Sequence, residues 1–287
     1  MIVDLSVTRL LFGAACAWLS DEEDSASRPA RRRRSHGRPG QLTVIVVPGF
    51  LTESSVDGKG CRSRPRGGSQ ADWHAAGRAV APMGAQVTSF NWHSGAPVDL
   101  VAGPGVGGGP LFGLGGLGAL YGGAAANAFL AFRRALDEAD AAIEELGEEV
   151  AACAGPVAIV GHSLGGRIAL RYAEAAGRGE VPGVRSVHSL AAAISPDDLD
   201  WDDVASGVER RPVVAFSRED LVLRSVYRAG ALELGEPVGL AGPPRDAPVS
   251  RRDLSALGLG HLDYVSELPA CVKSQEIGGA KRTKRGH

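Results

Sequence analysis

The stretch Pro156-Val-Ala-Ile-Val-Gly-His-Ser-Leu-Gly-Gly-Arg-Ile-Ala-Leu170 decides the fold of this 287-residue chain. Its run of β-branched residues over 157–160 predicts a buried strand. The pattern after residue 163 predicts a helix to about Ala176, with Gly177 as its cap. Between the two lies Gly161-His-Ser-Leu-Gly165, a G-x-S-x-G match. A strand, a sharp turn and a helix in this order form the local structure of a nucleophile elbow, with Ser163 at its apex.

Each position of the motif has a physical reason. The turn brings Gly161 and Gly165 so close to other backbone that a side chain there would clash. It also exposes the Ser163 hydroxyl and places the Leu164 amide at a helix start, where an N–H can face an anion. The match alone is weak, because a chain with 40 glycines produces roughly 0.4 such matches by chance. A glycine-rich turn without chemistry is therefore the alternative.

Composition limits the class of protein. A hydrophobic fraction of 44% and a charged fraction of 22% fit one large α/β domain. The net charge of −2 gives no reason to expect a nucleic acid partner. The four cysteines are scattered, without a C-x-x-C pair, so we expect neither a disulfide framework nor a metal site, and a reducing, cytoplasmic location. No cofactor is expected.

Strands alternate with helices along the chain, which predicts an open, mostly parallel sheet flanked by helices, with its site at the carboxyl ends of the strands. Predicted strands cover 42–47, 85–92, 157–160, 184–194, 212–217 and 236–241. Predicted helices cover 73–83, 129–150 and 164–176, with a closing helix to about 273. This domain spans 41–273. Residues 1–40 are expected to form a short helix and a charged linker, and 274–287 a basic disordered tail.

A glycine-rich tract interrupts the predicted domain. Residues 100–132 contain no charged side chain, yet the glycines of 100–123 make a stable helix there costly. Two G-x-G-x-x-G matches in the tract do not follow a convincing strand, so they do not predict dinucleotide binding. We expect 100–123 to form a lid-like insertion or a segment that contacts a membrane, with 100–132 as the region of peripheral membrane contact.

A serine hydroxyl becomes a good nucleophile when a histidine takes its proton and a carboxylate orients that histidine. The expected chain order is serine, acid, histidine. His261 lies in a glycine-flanked loop before the final helix, whereas His188 lies within a predicted strand and His287 ends the chain. Asp220 follows a predicted strand at its carboxyl end, with Glu219 as the fallback. The predicted triad is Ser163, His261 and Asp220.

The rest of the site follows from the ends of the first two predicted strands. The amide of Leu164 and an amide from the loop after the first strand are expected to hold an oxyanion. Phe50 supplies the second amide and could also form a wall of the acyl pocket. For Trp92 a structural role is the alternative to lining the site. The remaining pocket candidates are Gly49, Leu51, Trp92 and His162.

Taken together, these pieces resemble the α/β-hydrolase superfamily, whose members include lipases, esterases, thioesterases and amidases. More closely, the chain resembles the transmembrane-and-coiled-coil-domain family of hydrolase-like proteins. The resemblance covers about 42–270 and rests on Pro48-Gly-Phe-Leu-Thr-Glu53, Gly161-His-Ser-Leu-Gly-Gly-Arg167, Ser217-Arg-Glu-Asp-Leu-Val-Leu223 with Tyr227-Arg228, and Gly260-His-Leu-Asp-Tyr264. It implies the same triad and a lipase- or esterase-like activity. The chain departs from that family in lacking a continuous hydrophobic span, which leaves membrane embedding open.

The sequence therefore predicts a serine hydrolase that cleaves a carboxylic ester, of a small molecule or a lipid, through an acyl-enzyme. Two alternatives remain. One is a catalytically silent protein of the same fold that binds a membrane or a partner. The other is an acyltransferase or amidase that uses the same triad, because acceptor choice depends on pocket shape.

Overall fold

The computed structural model describes residues 38–49, 70–92, 116–227 and 235–278. Several expectations fall outside these ranges: the N-terminal helix and arginine linker, the tract over 100–115, and the tail beyond residue 278. Phe50 and Leu51 fall outside them as well. The description that follows concerns the described ranges alone.

Six parallel strands form one sheet, in the order β2-β1-β3-β4-β5-β6. The strands are β1 (Thr43–Val47), β2 (Gln86–Ser89), β3 (Val157–His162), β4 (Ser186–Leu190), β5 (Val213–Phe216) and β6 (Ser250–Asp253). The helices are α1 (Gln70–Val80), α2 (Gly116–Ala151), α3 (Leu164–Gly177), α4 (Trp201–Ser206), α5 (Val238–Ala241), α6 (Leu268–Cys271) and α7 (Ser274–Gly278). The predicted α/β class and parallel sheet are confirmed.

The central strands of the sheet have continuous apolar sequences because both of their faces are buried. Every residue of β1 and β3 is buried, as expected for parallel strands covered on both faces. Val44 pairs with Ala158 and Val47 with Gly161, so the two strands end at the same level. Helix α3, which leaves β3, is buried from Leu164 to Leu170 and packs against β1, β3 and β4.

The strand order reverses direction beside β1. The chain first adds β2 on one side of β1 and then crosses to the other side to form β3. At such a reversal the connections leave the carboxyl ends of the two strands in opposite directions, which opens a crevice there. The elbow follows β3 and the Pro48-Gly49 exit follows β1. The two sequence segments predicted to form the site therefore meet at this crevice.

Helix α2 begins earlier than expected. The glycine content of 100–123 predicted no helix there, whereas α2 starts at Gly116 and runs for 36 residues. Extending an existing helix costs about 1 kcal/mol per glycine, far less than nucleating one. Arg167 of α3 fixes α2 through two hydrogen bonds of 2.9 Å to Asp140.

Among the described helices, none is both long and apolar enough to cross a membrane.

The prediction of a sixth strand over 236–241 is wrong. Residues 238–241 form the short helix α5, and the strand next to β5 is β6, at residues for which no strand is predicted. Glycine is required at 239, because its backbone lies so close to Ala191 and Ala192 that a Cβ would come within 2.2 Å of the Ala191 carbonyl carbon. β6 has the sequence Ser-Arg-Arg-Asp and, among the described strands, pairs with β5 alone.

The folded unit extends past the predicted boundary at residue 273. Helix α7 ends at Gly278, and its Ile277 is buried. Arginines from three places bind carbonyl groups of this segment: Arg252 binds that of Cys271, Arg210 that of Gln275 and Arg185 that of Gly278. Arg252 also pairs with the carboxylate of Glu276. These contacts make 274–278 part of the domain rather than of the tail.

Gly177 is the last residue of α3 rather than its cap; Arg178 takes the cap position and Gly179 has the left-handed φ of 77°. The glycine at 177 is instead required by packing, because a Cβ there would lie 2.1 Å from the Asp203 carbonyl oxygen of α4.

We therefore expect Gly177→Ala to lower the free energy of unfolding by about 2–4 kcal/mol, since the two helices must separate to admit the methyl group. Urea unfolding measures this change. Gly183→Ala is the matched control: its Cβ would lie 3.5 Å from the Gly207 carbonyl oxygen, an ordinary contact, and we expect a change within about 0.5 kcal/mol. Equal effects of the two substitutions would contradict the packing explanation.

Candidate active site

The backbone at Ser163 has the strained conformation expected of an elbow. Its φ of 57° and ψ of −119° lie in a backbone region that residues other than glycine rarely adopt. Such strain costs about 1–3 kcal/mol and persists because surrounding contacts impose it. The Ser163 N–H donates to the Leu190 carbonyl of β4 at 2.9 Å, and its carbonyl accepts the N–H groups of Arg167 and Ala193.

Three glycines allow the backbone to close around Ser163. A Cβ on Gly161 would lie 2.1 Å from the Gly165 carbonyl oxygen, and one on Gly165 would lie 2.0 Å from that of Val47. The expected need for glycine at both positions is confirmed. Gly49, a predicted pocket residue, approaches from β1: its Cβ would lie 2.8 Å from that of Ser163. The exit of β1 is thus in contact with the predicted nucleophile.

The side chains of the predicted triad form one hydrogen-bonded chain. The Nε2 atom of His261 lies 2.9 Å from the Ser163 Oγ, and its Nδ1 lies 2.7 Å from the Asp220 Oδ2. The three residues are 4%, 8% and 0% exposed in the order Ser163, His261, Asp220, so Ser163 is buried rather than exposed as expected. A carboxylate at Nδ1 favours the tautomer with a proton on Nδ1, which leaves the Nε2 lone pair free to accept the serine proton.

Short turns hold Asp220 and His261 in place. Asp220 follows β5, and its second oxygen, Oδ1, accepts the N–H of Leu223 at 2.9 Å. His261 follows Gly258, which has a left-handed φ of 62°, and Gly260, whose N–H donates to Asp263 at 2.9 Å. Both carboxylate oxygens of Asp220 therefore have partners, which fixes the carboxylate plane against the imidazole.

The predicted oxyanion donors are described in part. Leu164 begins α3 and is buried, and the first bond of that helix runs from the Arg167 N–H to the Ser163 carbonyl. The Leu164 N–H therefore has no acceptor within its own helix, so it can serve a ligand beside Ser163. Phe50, the second predicted donor, and Leu51, a predicted pocket residue, lie outside the described ranges. Among the described side chains, no three of His, Cys, Asp or Glu gather as a metal site.

Trp92, a predicted pocket residue, is 5% exposed and contacts backbone. Its indole N–H donates to the Pro48 carbonyl at the exit of β1, over 2.9 Å. Sequence reasoning left a structural role for Trp92 open without naming a partner, because nothing local links residues 44 positions apart. Its contribution to a substrate pocket stays a prediction.

A family model described as "Protein of unknown function (DUF726)" matches residues 127–278, more than half of the chain. The chain belongs to this family. The match contains Ser163, Asp220 and His261, whereas Gly49 and Trp92 lie before it. In this DUF726 chain the complete hydrogen-bonded triad therefore lies in the part that the family shares.

His162, the remaining pocket candidate of this DUF726 chain, lies among rings behind the triad. It stacks on Trp73 at a centroid distance of 4.9 Å and lies 4.8 Å from His261 and 5.1 Å from Tyr264. Burial lowers the pKa of His162 well below its usual value, and the nearby His261 adds to this shift. A neutral, stacked imidazole at His162 packs against the ring of His261 and adds no positive charge beside it.

His188, the alternative base, is buried in β4 at 1% exposure. Neither of its ring nitrogens has a hydrogen-bond partner among the described residues. Burial lowers the pKa of His188 from 6.5 to about 4, with Arg252 and Arg210 lowering it further and Glu276 opposing them. These properties belong to a core histidine.

The low pKa of His188 predicts that this DUF726 chain is less stable in acid. Because the folded pKa lies below the unfolded one, the unfolded chain binds the proton first as the pH falls. This contribution to stability is therefore complete above about pH 6.5 and lost towards pH 4, by about 3 kcal/mol in total. His188→Leu should reduce the slope of unfolding free energy against pH in this window by up to about 1.4 kcal/mol per pH unit.

Chemical denaturation of both proteins from pH 4 to pH 8 measures this slope. Above pH 7 the two curves should run parallel, because neither folded nor unfolded His188 then binds a proton. If the two curves also run parallel below pH 6, the pKa of His188 is not the cause of the loss of stability in acid.

Proposed function

We propose that the protein is a serine hydrolase with an α/β-hydrolase fold, and that it cleaves carboxylic esters through an acyl-enzyme. The observation that carries the proposal is the hydrogen-bonded chain from Asp220 through His261 to Ser163, with distances of 2.7 and 2.9 Å. The strained elbow at Ser163 supports it, because strain at a buried serine that contacts a histidine is typical of a nucleophile. The resemblance of 42–270 to α/β-hydrolases supports the same reaction class.

In the first half of the reaction the Ser163 Oγ attacks the ester carbonyl carbon while His261 Nε2 takes the hydroxyl proton. The carbonyl oxygen becomes an oxyanion, which the amides of Leu164 and Phe50 are proposed to bind. When the intermediate collapses, the bond to the leaving alcohol breaks and His261 gives the proton to that alcohol. Asp220 accepts a hydrogen bond from Nδ1 of His261 and so keeps that proton on Nδ1.

Water completes the cycle. It attacks the acyl carbonyl as His261 takes one of its protons, the ester bond to Ser163 Oγ breaks, and the proton returns to Oγ. A carboxylic acid leaves and the enzyme is restored. Every proton transfer uses His261 Nε2, so the described side chains supply the acid–base chemistry of both halves.

Covalent labelling tests the proposal directly. A fluorescent fluorophosphonate should attach to the purified full-length protein, and digestion followed by mass spectrometry should find the phosphonyl group on the peptide that contains Ser163. The label reacts with a serine that an adjacent base activates, so unreactive surface serines serve as internal controls. A folded protein that does not label, with or without detergent or liposomes, would refute the proposed hydrolase.

The same preparation separates hydrolysis from acyl transfer. Turnover of p-nitrophenyl butyrate is followed with and without added short alcohols, and the products are quantified as acid or new ester. We expect the acid to dominate at alcohol concentrations in the millimolar range. Predominant formation of the new ester would instead assign an acyltransferase, in which the triad is the same and the acceptor differs.

A further inference from the structure

The ring of His162 joins His261 to the body of the fold. The centroids of the two imidazole rings are 4.8 Å apart, and their planes are inclined by 44°. His162 also contacts two larger rings: it stacks on Trp73 of α1 with an angle of 25° between the planes, and it lies 5.1 Å from Tyr264. All of these side chains are buried. The contacts therefore run without a gap from α1 to the ring of His261.

The position of the His162 ring is fixed from several sides. His162 is the last residue of β3 and pairs with Leu190 of β4. The next residue, Ser163, donates its N–H to the Leu190 carbonyl at 2.9 Å. The Gly49 backbone lies beside the ring, because a Cβ on Gly49 would come within 3.3 Å of the His162 Nδ1. A ring that is held by strand pairing, by stacking and by a neighbouring backbone has little room to move.

The hydrogen bonds of His261 leave one motion of its own ring free. Its Nδ1 and Nε2 are bonded to Asp220 and to Ser163. The ring can still tilt about the line through these two nitrogens, because such a tilt changes the N···O distances little. In the proposed reaction the bond to Ser163 is lost when Oγ binds the ester carbon, so among the triad side chains Asp220 alone then holds His261. A rigid neighbour beside the ring limits this motion.

We propose that His162 is a positioning residue for His261; this rests on the proposed hydrolase function. The His162 ring keeps the His261 ring in the orientation in which Nε2 takes the proton of Ser163 and gives it to the leaving alcohol. The shape of the ring is what matters, because the His162 Nε2 is buried and has no hydrogen-bond partner among the described residues. Burial also lowers the pKa of His162 well below its usual value, so a neutral ring faces His261 when it gains a positive charge.

His188 is a matched control for this ring. It is a second buried histidine, it lies on the neighbouring strand β4, and burial lowers its pKa as well. It pairs with Val160, two residues before His162. The ring contacts of the described residues join His162 to His261, and none of them involves His188. Replacing either histidine by alanine removes the same side chain from the same sheet, but only the cavity at position 162 borders His261.

The experiment compares His162→Ala and His188→Ala with the wild type in p-nitrophenyl butyrate hydrolysis and in urea unfolding. For His162→Ala we expect kcat to fall about 10- to 100-fold, because a displaced proton acceptor slows every step that uses it. KM should stay within about twofold, since a ring that is 5% exposed offers the substrate little surface. His188→Ala should lower the unfolding midpoint by a similar amount and keep kcat within about threefold. Equal losses of kcat in the two variants would overturn the proposal.

Two further variants at position 162 separate the ring from its nitrogens and from the folding of the chain. The amino acid 3-(2-thienyl)alanine supplies a five-membered aromatic ring without nitrogen, and it should restore kcat to within about fivefold of the wild type. His162→Leu fills the cavity without a planar ring, which guards against a folding defect of His162→Ala, and its kcat should fall about 10-fold. A thienyl variant as slow as His162→Leu, or a wild-type kcat in His162→Leu, would overturn the proposal. A wild type that neither labels with the fluorophosphonate nor turns over esters would instead refute the proposed hydrolase, and this inference with it.

Discussion

Ser163→Ala is expected to lower the turnover of activated short-chain esters by at least about 10⁴-fold, because it removes the oxygen that we propose as the nucleophile. The remaining groups would provide only the oxyanion hole and binding. The fold should survive, because alanine tolerates the φ of 57° at this position no worse than serine does. We expect the free energy of unfolding to change by about 1 kcal/mol or less, the usual effect of one lost hydrogen bond.

The measurement is p-nitrophenyl butyrate hydrolysis together with urea unfolding. Ser189→Ala is the matched control. Ser189 is a buried serine of β4, and its hydroxyl donates to the Gly166 carbonyl of α3 at 3.2 Å. The substitution removes a buried hydroxyl next to the elbow without touching His261, so kcat should stay within about threefold of the wild type. Turnover retained in Ser163→Ala would show that another group is the nucleophile.

The elbow could be predicted because its determinants are local. A β-branched run, the spacing of Gly161 and Gly165, and an apolar helix pattern follow one another within 20 positions. Each of these patterns, taken alone, predicts the local structure that the fold contains. The order of the triad residues was predictable for a related reason. In a parallel sheet every strand ends at the same edge, so Asp220 after β5 was expected to lie near Ser163. His261 was predicted from its glycine-flanked loop and the expected chain order, without knowledge of β6.

Other features depend on contacts that the sequence does not reveal. β6 is a polar edge strand that exists because β5 offers it a partner, and its Ser-Arg-Arg-Asp sequence carries no strand pattern. The bond of Trp92 joins residues far apart in the chain. The glycine-rich start of α2 follows from extension of a helix that is stable further along. In each case a tertiary contact or a long-range cooperative effect outweighed local propensity.

Asp220→Asn is expected to lower kcat by about 10⁴-fold at neutral pH while keeping the shape of the site. Asp220 has two different partners: Oδ1 accepts the Leu223 N–H, and Oδ2 faces the Nδ1 of His261. Asparagine has one oxygen and one NH₂ group. The backbone N–H of Leu223 can only donate, so the asparagine oxygen is expected to stay on the side of Leu223. The NH₂ group then faces His261.

Two donors cannot share a hydrogen bond, so the imidazole must then carry its proton on Nε2. That atom lies 2.9 Å from the Ser163 Oγ, and once protonated it can donate to the serine but cannot accept its proton. The substitution therefore removes the base without removing the histidine. A low-field proton NMR signal from Nδ1–H of His261 should be present in the wild type and absent in Asp220→Asn.

Asp263→Asn is the matched control for charge and volume. Asp263 lies two residues after His261 and accepts the Gly260 N–H through one oxygen, a contact that an asparagine oxygen can keep. It faces no ring nitrogen of the triad in the described contacts, so kcat should stay within about threefold. A large loss in Asp220→Asn alone, together with the lost NMR signal, would assign the defect to the tautomer of His261. Equal losses in both variants would contradict that assignment and point to the carboxylates of this face as a general electrostatic requirement.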